Sequence, residues 1–511
     1  MVRAMSSPAP QPDAYARASH RFTLAGKLSA AGMMLNWDAQ THMPRGGAWA
    51  RGEQMAALTE VSTDLIGSHA AADELAEAEA MAGALEPVER SDLKEMRRLF
   101  SHAAAAPKDL QTAKARLSQN LQAVWVEAKA ANDFASFATP FAELLSVIRE
   151  IAAAKAQALG LTPYGAMIDE YDPGVGEAMI DPIFADLAAS LPPLIDEVRE
   201  RQARWPAPIP LGEVSVERQA ALAHALAATV GHRAEHFRID QAPHPFSVPH
   251  SPGDVRFTTR YDIANPRFSV LATLHEAGHA MYEFNLPREL AFKPAGMARG
   301  ASMHESQSLS LEMVAGRSRE FLGHLAPLMA RAFGGDSEIW SLANVLNSWR
   351  RPDNGYIRVE ADEISYPLHV ILRYRLERAL MAGDLSVADI PSAWNELFVK
   401  LIGRTPPSLA KGCLQDIHWS AGLFGYFPNY AMGAVLAAQF FEAATAKDPD
   451  ILPALGRGDF KPYFAWVRPN IHERASLVDF ATLVTDATGR PLDTGAFKRH
   501  LRRRYLEEAA P

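Results

Sequence analysis

Apolar residues recur at three- and four-residue spacing along almost the whole of this chain, and that periodicity restricts its fold more than any other feature. The spacing puts one apolar stripe on each of a series of helices. Leu93, Met96, Leu99 and Phe100 form one stripe, and Phe141, Leu144, Leu145, Ile148 and Ala152 form another. Good helix formers, chiefly Ala, Leu, Glu and Arg, dominate throughout. The 511 residues, 48% of them hydrophobic, suffice for a large mainly α body. Strand signals are sparse. The best is His250 to Tyr261, where Val255, Phe257, Thr258 and Thr259 favour an extended chain, so one small β element is expected.

Leu191-Pro192-Pro193, the run from Trp205 to Pro210, Gly334-Gly335-Asp336, the run from Pro352 to Gly355 and Thr405-Pro406-Pro407 read as turns or loops. Neither an internal repeat nor a Gly/Ser linker divides the chain. Residues 1–13 lack an apolar signal region and read as a disordered leader. Residues 14–511 read as a single helical body with a central cleft, because the motifs below scatter from His244 to Tyr430 and must converge in space. The most apolar stretch, Tyr430 to Phe441, is too short to span a bilayer. The basic run Lys498 to Arg504 reads as a solvated helix end. A net charge of -9 leaves no electrostatic footprint for nucleic acid or an anionic membrane. Cys413 is the one cysteine, which excludes an internal disulfide and a cysteine-rich metal site, and the expected compartment is the cytoplasm.

Chemistry concentrates on His275-Glu276-Ala277-Gly278-His279. Asn265 and Pro266 suit a helix start, and Asn285 and Pro287 a stop, with about five turns between them. Four residues apart on such a helix, His275 and His279 share a face and can bind one metal ion. Glu276 then stands beside the pair, where it can take a proton from a water made acidic by the ion, the arrangement for amide hydrolysis. The apolar neighbours Leu274, Ala277, Ala280 and Met281 imply a buried segment in which polar groups need partners. A third ligand is required. Glu305 is the first candidate, although Ser302 to Glu305 is also a capping box, and His304 competes with it.

Further motifs extend the pattern. His244-Pro245-Phe246, Asp254-Val255-Arg256-Phe257-Thr258, His304-Glu305-Ser306-Gln307, Ile357-Arg358 with Ala361-Asp362, and Gly412 with Gln415-Asp416 and His418-Trp419 follow one another in order. Asn36-Trp37-Asp38 and Met43 to Gly47 precede them. This ordered set resembles the carboxypeptidase Taq (M32) metallocarboxypeptidases over most of the chain. Gly425-Tyr426-Phe427-Pro428-Asn429-Tyr430 resembles the family's G-Y-F-P-T-Y stretch, with Asn429 in place of Thr.

The resemblance implies that His275, His279 and Glu305 bind the metal, usually zinc and sometimes cobalt, and that Glu276 is the general base and acid. It implies an elongated helical fold with a deep central substrate groove, commonly a homodimer, that removes single residues from peptide C-termini with broad tolerance. Arginine suits the terminal carboxylate of a peptide substrate because its planar fork binds carboxylates bidentately. Arg358 is the first choice and Arg256 the second, against ion pairs of Arg358 with Asp362 and of Arg256 with Asp254. Tyr430, ahead of Tyr426, is the candidate oxyanion donor. His244 and His418 are candidates for contacts with the peptide or the tetrahedral intermediate, and Asp416 for orienting a neighbour. An oligopeptidase, a dipeptidyl carboxypeptidase and a non-catalytic peptide-binding protein are the alternatives, and the presence of Glu276 and all three ligands argues against the last.

Overall fold

A computed structural model describes residues 13–251, 253–335, 337–352 and 355–510. The leader, apart from Asp13, and Asp336, Asp353 and Asn354 of the expected loops lie outside the described residues. Asp13 caps the first helix by accepting from the Ala16 amide at 2.7 Å.

The periodic segments form twenty α-helices among the described residues. First come α1 (Ala14–Thr41), α2 (Ala48–Gly67), α3 (His69–Ala80) and α4 (Pro87–Ala105). Then follow α5 (Lys108–Ala131), α6 (Phe134–Leu159), α7 (Pro163–Tyr171), α8 (Glu177–Gln202) and α9 (Val216–Val230). Three strands, β1 (Phe237–Gln241), β2 (Ser247–Ser251) and β3 (Asp254–Thr259), precede α10 (Pro266–Phe284) and α11 (Ala301–Leu309). The chain continues through α12 (Arg319–Phe333), α13 (Leu342–Trp349), α14 (Tyr366–Ala382), α15 (Ile390–Ile402) and α16 (Pro428–Lys447). It closes with α17 (Ile451–Leu455), α18 (Lys461–Asn470), α19 (Phe480–Thr488) and α20 (Gly495–Arg502).

One apolar cluster runs from Leu121 to Tyr505. Its axis is α16, in which every residue from Ala431 to Phe441 is buried. A second, smaller cluster joins Tyr15, Phe22, Leu75, Leu93 and Met96 of α1, α3 and α4. Both helical stripes read from the sequence face these cores, with Leu99 and Phe100 only partly covered.

The expected extended segment becomes the β2–β3 hairpin, paired antiparallel with Ser247 opposite Phe257. The sheet has a further member, β1, parallel to β3 with Phe237 opposite Val255. Val255 and Phe257 are fully buried, and the sheet packs against α10.

Two expectations are corrected. Leu191-Pro192-Pro193 is not a turn but lies inside α8. A proline in a helix costs about 3 kcal/mol. Leu191, Leu194 and Ile195 are buried beside the two prolines, and each contributes about 1.5–3 kcal/mol, so packing wins. α8 is also long and apolar enough to cross a membrane by length and composition, yet its apolar face packs on the protein's own core. The basic run Lys498 to Arg504 is only half solvated. Arg499, Arg502 and Arg503 are exposed, whereas His500 and Arg504 turn inward onto the fully buried Glu363. An apolar face made by Phe497, Leu501 and Tyr505 carries those two residues into the interior.

Candidate active site

α10 starts with Pro266 at its first turn, as expected, although the Asn265 side chain does not cap it. Gly278 is explained by the next helix. A Cβ at Gly278 would stand 2.4 Å from the carbonyl oxygen of Gln307, so only glycine lets α11 cross α10 this closely. α11 is in turn pressed against α16 at Gly433, where a Cβ would stand 2.6 Å from Cγ of Glu305. Two glycines therefore hold Glu305 between α10 and α16. Since α11 begins at Ala301 after Gly300, Ser302 lies inside the helix, and the Glu305 carboxylate is turned to the two histidines and not to a cap.

His275 Nε2 and His279 Nε2 lie 3.7 and 3.4 Å from Glu305 Oε2. Bonds of about 2.0–2.2 Å to a tetrahedral ion set its donors roughly 3.3–3.6 Å apart, so the three groups fit one metal. They are the one set of three or more His, Cys, Asp or Glu side chains among the described residues able to hold an ion. His304 is not part of it. Its Nε2 bonds Glu283 at 2.8 Å and its ring stacks on His279 at 4.4 Å.

Electrostatics point the same way. Burial works against charge on His275, but Glu305, Glu312 and Glu276 outweigh it and raise the imidazole to about 10. Burial, reinforced by His304, lowers His279 to about 3. Against its own burial, Glu305 is held down to about 2 by both histidines. Three carboxylates act on the one His275 imidazole, and Arg317 bonds one of them, Glu312, so the cluster is an acidic setting suited to a cation. Glu276 is buried, its Oε2 has no hydrogen-bond partner, and burial pushes it up to about 7.

Support for the ligands comes from residues that sequence spacing does not single out. His275 Nδ1 bonds Glu312 at 2.9 Å. The hydroxyls of Ser308 and Tyr366 approach the Glu305 carboxylate at 3.2 and 3.4 Å. Glu312 lies seven residues beyond Glu305, but the winding changes from α to π between them, so ordinary helical spacing does not place it. Tyr366 and Gly433 carry no local signal either.

From Tyr366 a run of rings leads away from the metal cluster. Tyr366 meets Tyr430 edge-on at 6.4 Å, and Tyr430 meets Tyr426 at 5.5 Å. The Tyr430 hydroxyl bonds His418 Nε2 at 3.0 Å, and burial lowers His418 to about 3, leaving it neutral. Arg358 lies over the Tyr430 ring at 4.5 Å. Its partner is Asp416, not Asp362. Nε and Nη2 donate to Asp416 Oδ1 at 3.2 and 3.0 Å, while Asp362 accepts the amides of Ile364 and Ser365. Asp416 Oδ2 also accepts from Arg373 Nε at 2.6 Å. Both arginines hold Asp416 far below the usual carboxylate range despite its burial.

Arg256 lies on β3, and His244 lies in the loop between β1 and β2. Arg256 pairs with Asp254 through two hydrogen bonds and lies 4.6 Å from the Trp37 ring, and the His244 carbonyl accepts from the Thr258 hydroxyl. Burial, Arg260 and Lys129 lower the His244 imidazole.

A sequence model of the carboxypeptidase Taq (M32) metallopeptidases matches residues 18–505. Thermostable carboxypeptidase 1 of Thermus thermophilus is 34% identical over 489 residues, 94% of this chain and 95% of that one. Carboxypeptidase 1 of Bacillus subtilis is 31% identical over 93% of this chain and 95% of its own. The structure of Trypanosoma cruzi metallocarboxypeptidase 1 superposes with a TM-score of 0.94 at 35% identity, covering 96% of this chain and 99% of that one. With three groups able to hold a metal ion brought together and the family's sequence matched over nearly the whole chain, this chain belongs to the carboxypeptidase Taq (M32) family and is a metallocarboxypeptidase, a hydrolase of peptides.

Proposed function

We propose that this enzyme releases one residue at a time from peptide C-termini, accepts a broad range of side chains, and works with zinc held by His275, His279 and Glu305, with cobalt able to substitute. Two imidazoles and one carboxylate suit zinc. The observation that carries the exopeptidase reading is a buried surplus of positive charge. Arg358 and Arg373 share the one carboxylate of Asp416. Burial lowers Arg373 only to about 10, so it stays protonated at neutral pH. Glu377, which also acts on Arg373, is pushed up to about 7 by burial and carries about half a charge there. The two arginines outweigh the two carboxylates by about half a charge, and the main-chain carboxylate at a peptide end would neutralise it whatever the terminal side chain is.

When bound, the ion supplies a Lewis acid that acidifies water and polarises the scissile carbonyl. Glu276, buried and raised by that burial, takes the proton of the attacking water and returns it to the leaving amine. Tyr430 donates to the oxyanion, its oxygen held by the His418 Nε2–H, and Tyr426 and His244 orient the peptide backbone. Arg256, already paired with Asp254, is the secondary anchor on the sheet side. On this reading residues 14–511 act as one catalytic body, as a homodimer in the cytoplasm, on free peptides and not on nucleic acid or membranes. The single buried thiol and the net charge of -9 accord with it.

Time-resolved mass spectrometry of a mixed peptide set, with C-terminally amidated partners, tests the proposal. A ladder shortened one residue at a time, lost with chelator, regained with zinc or cobalt and absent from the amides, is the expected result. Equal cleavage of acids and amides, or internal cleavage, would replace it with the oligopeptidase reading.

A further inference from the structure

Glu312 does not sit on an ordinary helix. After α11 the chain enters a π-helical turn, Ser310–Ala315, a rare conformation concentrated at functional sites. Glu312 lies within it and uses both carboxylate oxygens: Oε2 accepts from His275 Nδ1 at 2.9 Å and Oε1 from Arg317 Nη2 at 3.0 Å. Gly316 closes the turn, since a Cβ there would stand 2.5 Å from the Leu311 carbonyl oxygen and 2.9 Å from Leu274 of α10. Arg317 thus returns beneath the metal helix, with its side chain 7% exposed.

The turn is gripped from the far end of the chain. Arg504 donates to the carbonyls of Met313 and Val314, both at 2.6 Å. It also bonds Glu363 at 2.6 Å, and His500 Nε2 meets the same carboxylate at 2.9 Å. Arg317 Nε lies 3.9 Å from Glu363, so Arg317 stands between two glutamates. Glu312 and Glu363 balance Arg317 and Arg504, and burial, with Arg504 nearby, lowers His500 to about 4 and keeps it neutral. A buried charge is stable only when paired and hydrogen-bonded. The row therefore has one low-energy arrangement, and that arrangement fixes the His275 imidazole with Nε2 toward Glu305.

We infer that Arg317 and Arg504 are positioning residues for the metal centre: Arg317 orients the Glu312 carboxylate that holds His275, and Arg504 clamps the π turn that carries Glu312. The inference rests on the ligand set proposed above. Neither residue touches substrate, so the effect is read in metal retention. Outer partners of a ligating histidine alter metal affinity by about 10–100-fold when lost.

The test compares R317M, R317K and the charge-balanced pair R504M/E363Q with the parent. Zinc affinity is measured by competition with a chromophoric chelator, ligand geometry by the visible spectrum of the cobalt-loaded protein, and folding by thermal unfolding of the metal-free chain. R317M is expected to weaken zinc about 10–100-fold and to shift the cobalt bands, with R317K restoring part of both. The double variant, which removes the carbonyl clamp without leaving a charge unpaired, is expected to weaken zinc by about threefold to tenfold. If R317M does not fold, R317K and the double variant decide. Folded variants that bind zinc within twofold of the parent, with unchanged cobalt bands, overturn the inference alone. A parent that binds no zinc, or an H275A variant that binds it equally, would remove the ligand assignment and the inference together.

Discussion

The amino-terminal helices and the metal centre are built on opposite principles. α2 has no buried residue along its 20 positions, and Trp49 at its start is 80% exposed. α1 is buried at Ala14 to Ala25 and again at Trp37, but not between them. Its far end rests on the sheet through the Trp37 ring, which Arg256 and Arg238 approach at 4.6 and 5.2 Å, and through His42 on Asp240 at 2.8 Å. Around His275, His279 and Glu305, by contrast, Leu274, Ala277, Ala280, Ser302, Met303 and Ser306 are fully buried, and helices cross where even a methyl group does not fit. Exposed ion pairs are worth little, while buried charges act strongly and cannot be left alone. The difference separates a thinly packed outer layer from a centre that holds atoms in place.

The largest effect should come from the centre's proton carrier. E276Q keeps the shape and removes the base, so kcat should fall by about 10²–10⁴-fold with metal content unchanged by elemental analysis. Hydrolysis at the parent rate would sink the assignment. Next comes R358M, expected to lower kcat/KM for free-acid peptides by roughly a hundredfold, about 3 kcal/mol, with little change for amidated ones. Equal losses on both would mean that Arg358 only supports the fold.

G433A tests tightness itself. The new methyl group must displace Glu305 or α16, so about 1–3 kcal/mol of stability and a share of zinc affinity should go together, read by denaturant unfolding and chelator competition. Should alanine be accepted with neither change, the centre is looser than the packing implies. The smallest effect belongs to the amino-terminal helices. W37A removes two cation–π contacts of about 0.5–1 kcal/mol each and should raise KM a few-fold without altering zinc affinity. A W37A protein that lost its metal would erase the contrast between the two regions.

Local spacing made His275, His279 and Glu276 legible, because residues four apart on a helix face the same way wherever the helix lies. The stripes at Leu93 and Phe141 were legible for the same reason. Glu305 was open to a capping role until the helix start at Gly300 removed it. β1 escaped notice because it is a short, half-buried edge strand whose pairing with β3 is non-local. Pro192 and Pro193 misled because a propensity measured on isolated helices takes no account of the core behind Leu191 and Ile195.

By itself, then, the amino-acid sequence determined the helical class and the placing of His275, His279 and Glu276 side by side on one helix, all consequences of bond geometry within a few turns. Tertiary structure alone decided that Asp416 and not Asp362 partners Arg358, that Gly278 and Gly433 make room for Glu305, and that Arg504 reaches the turn carrying Glu312. Those outcomes depend on which distant segments share the interior, where each buried charge must find a partner and each close approach a side chain small enough to allow it.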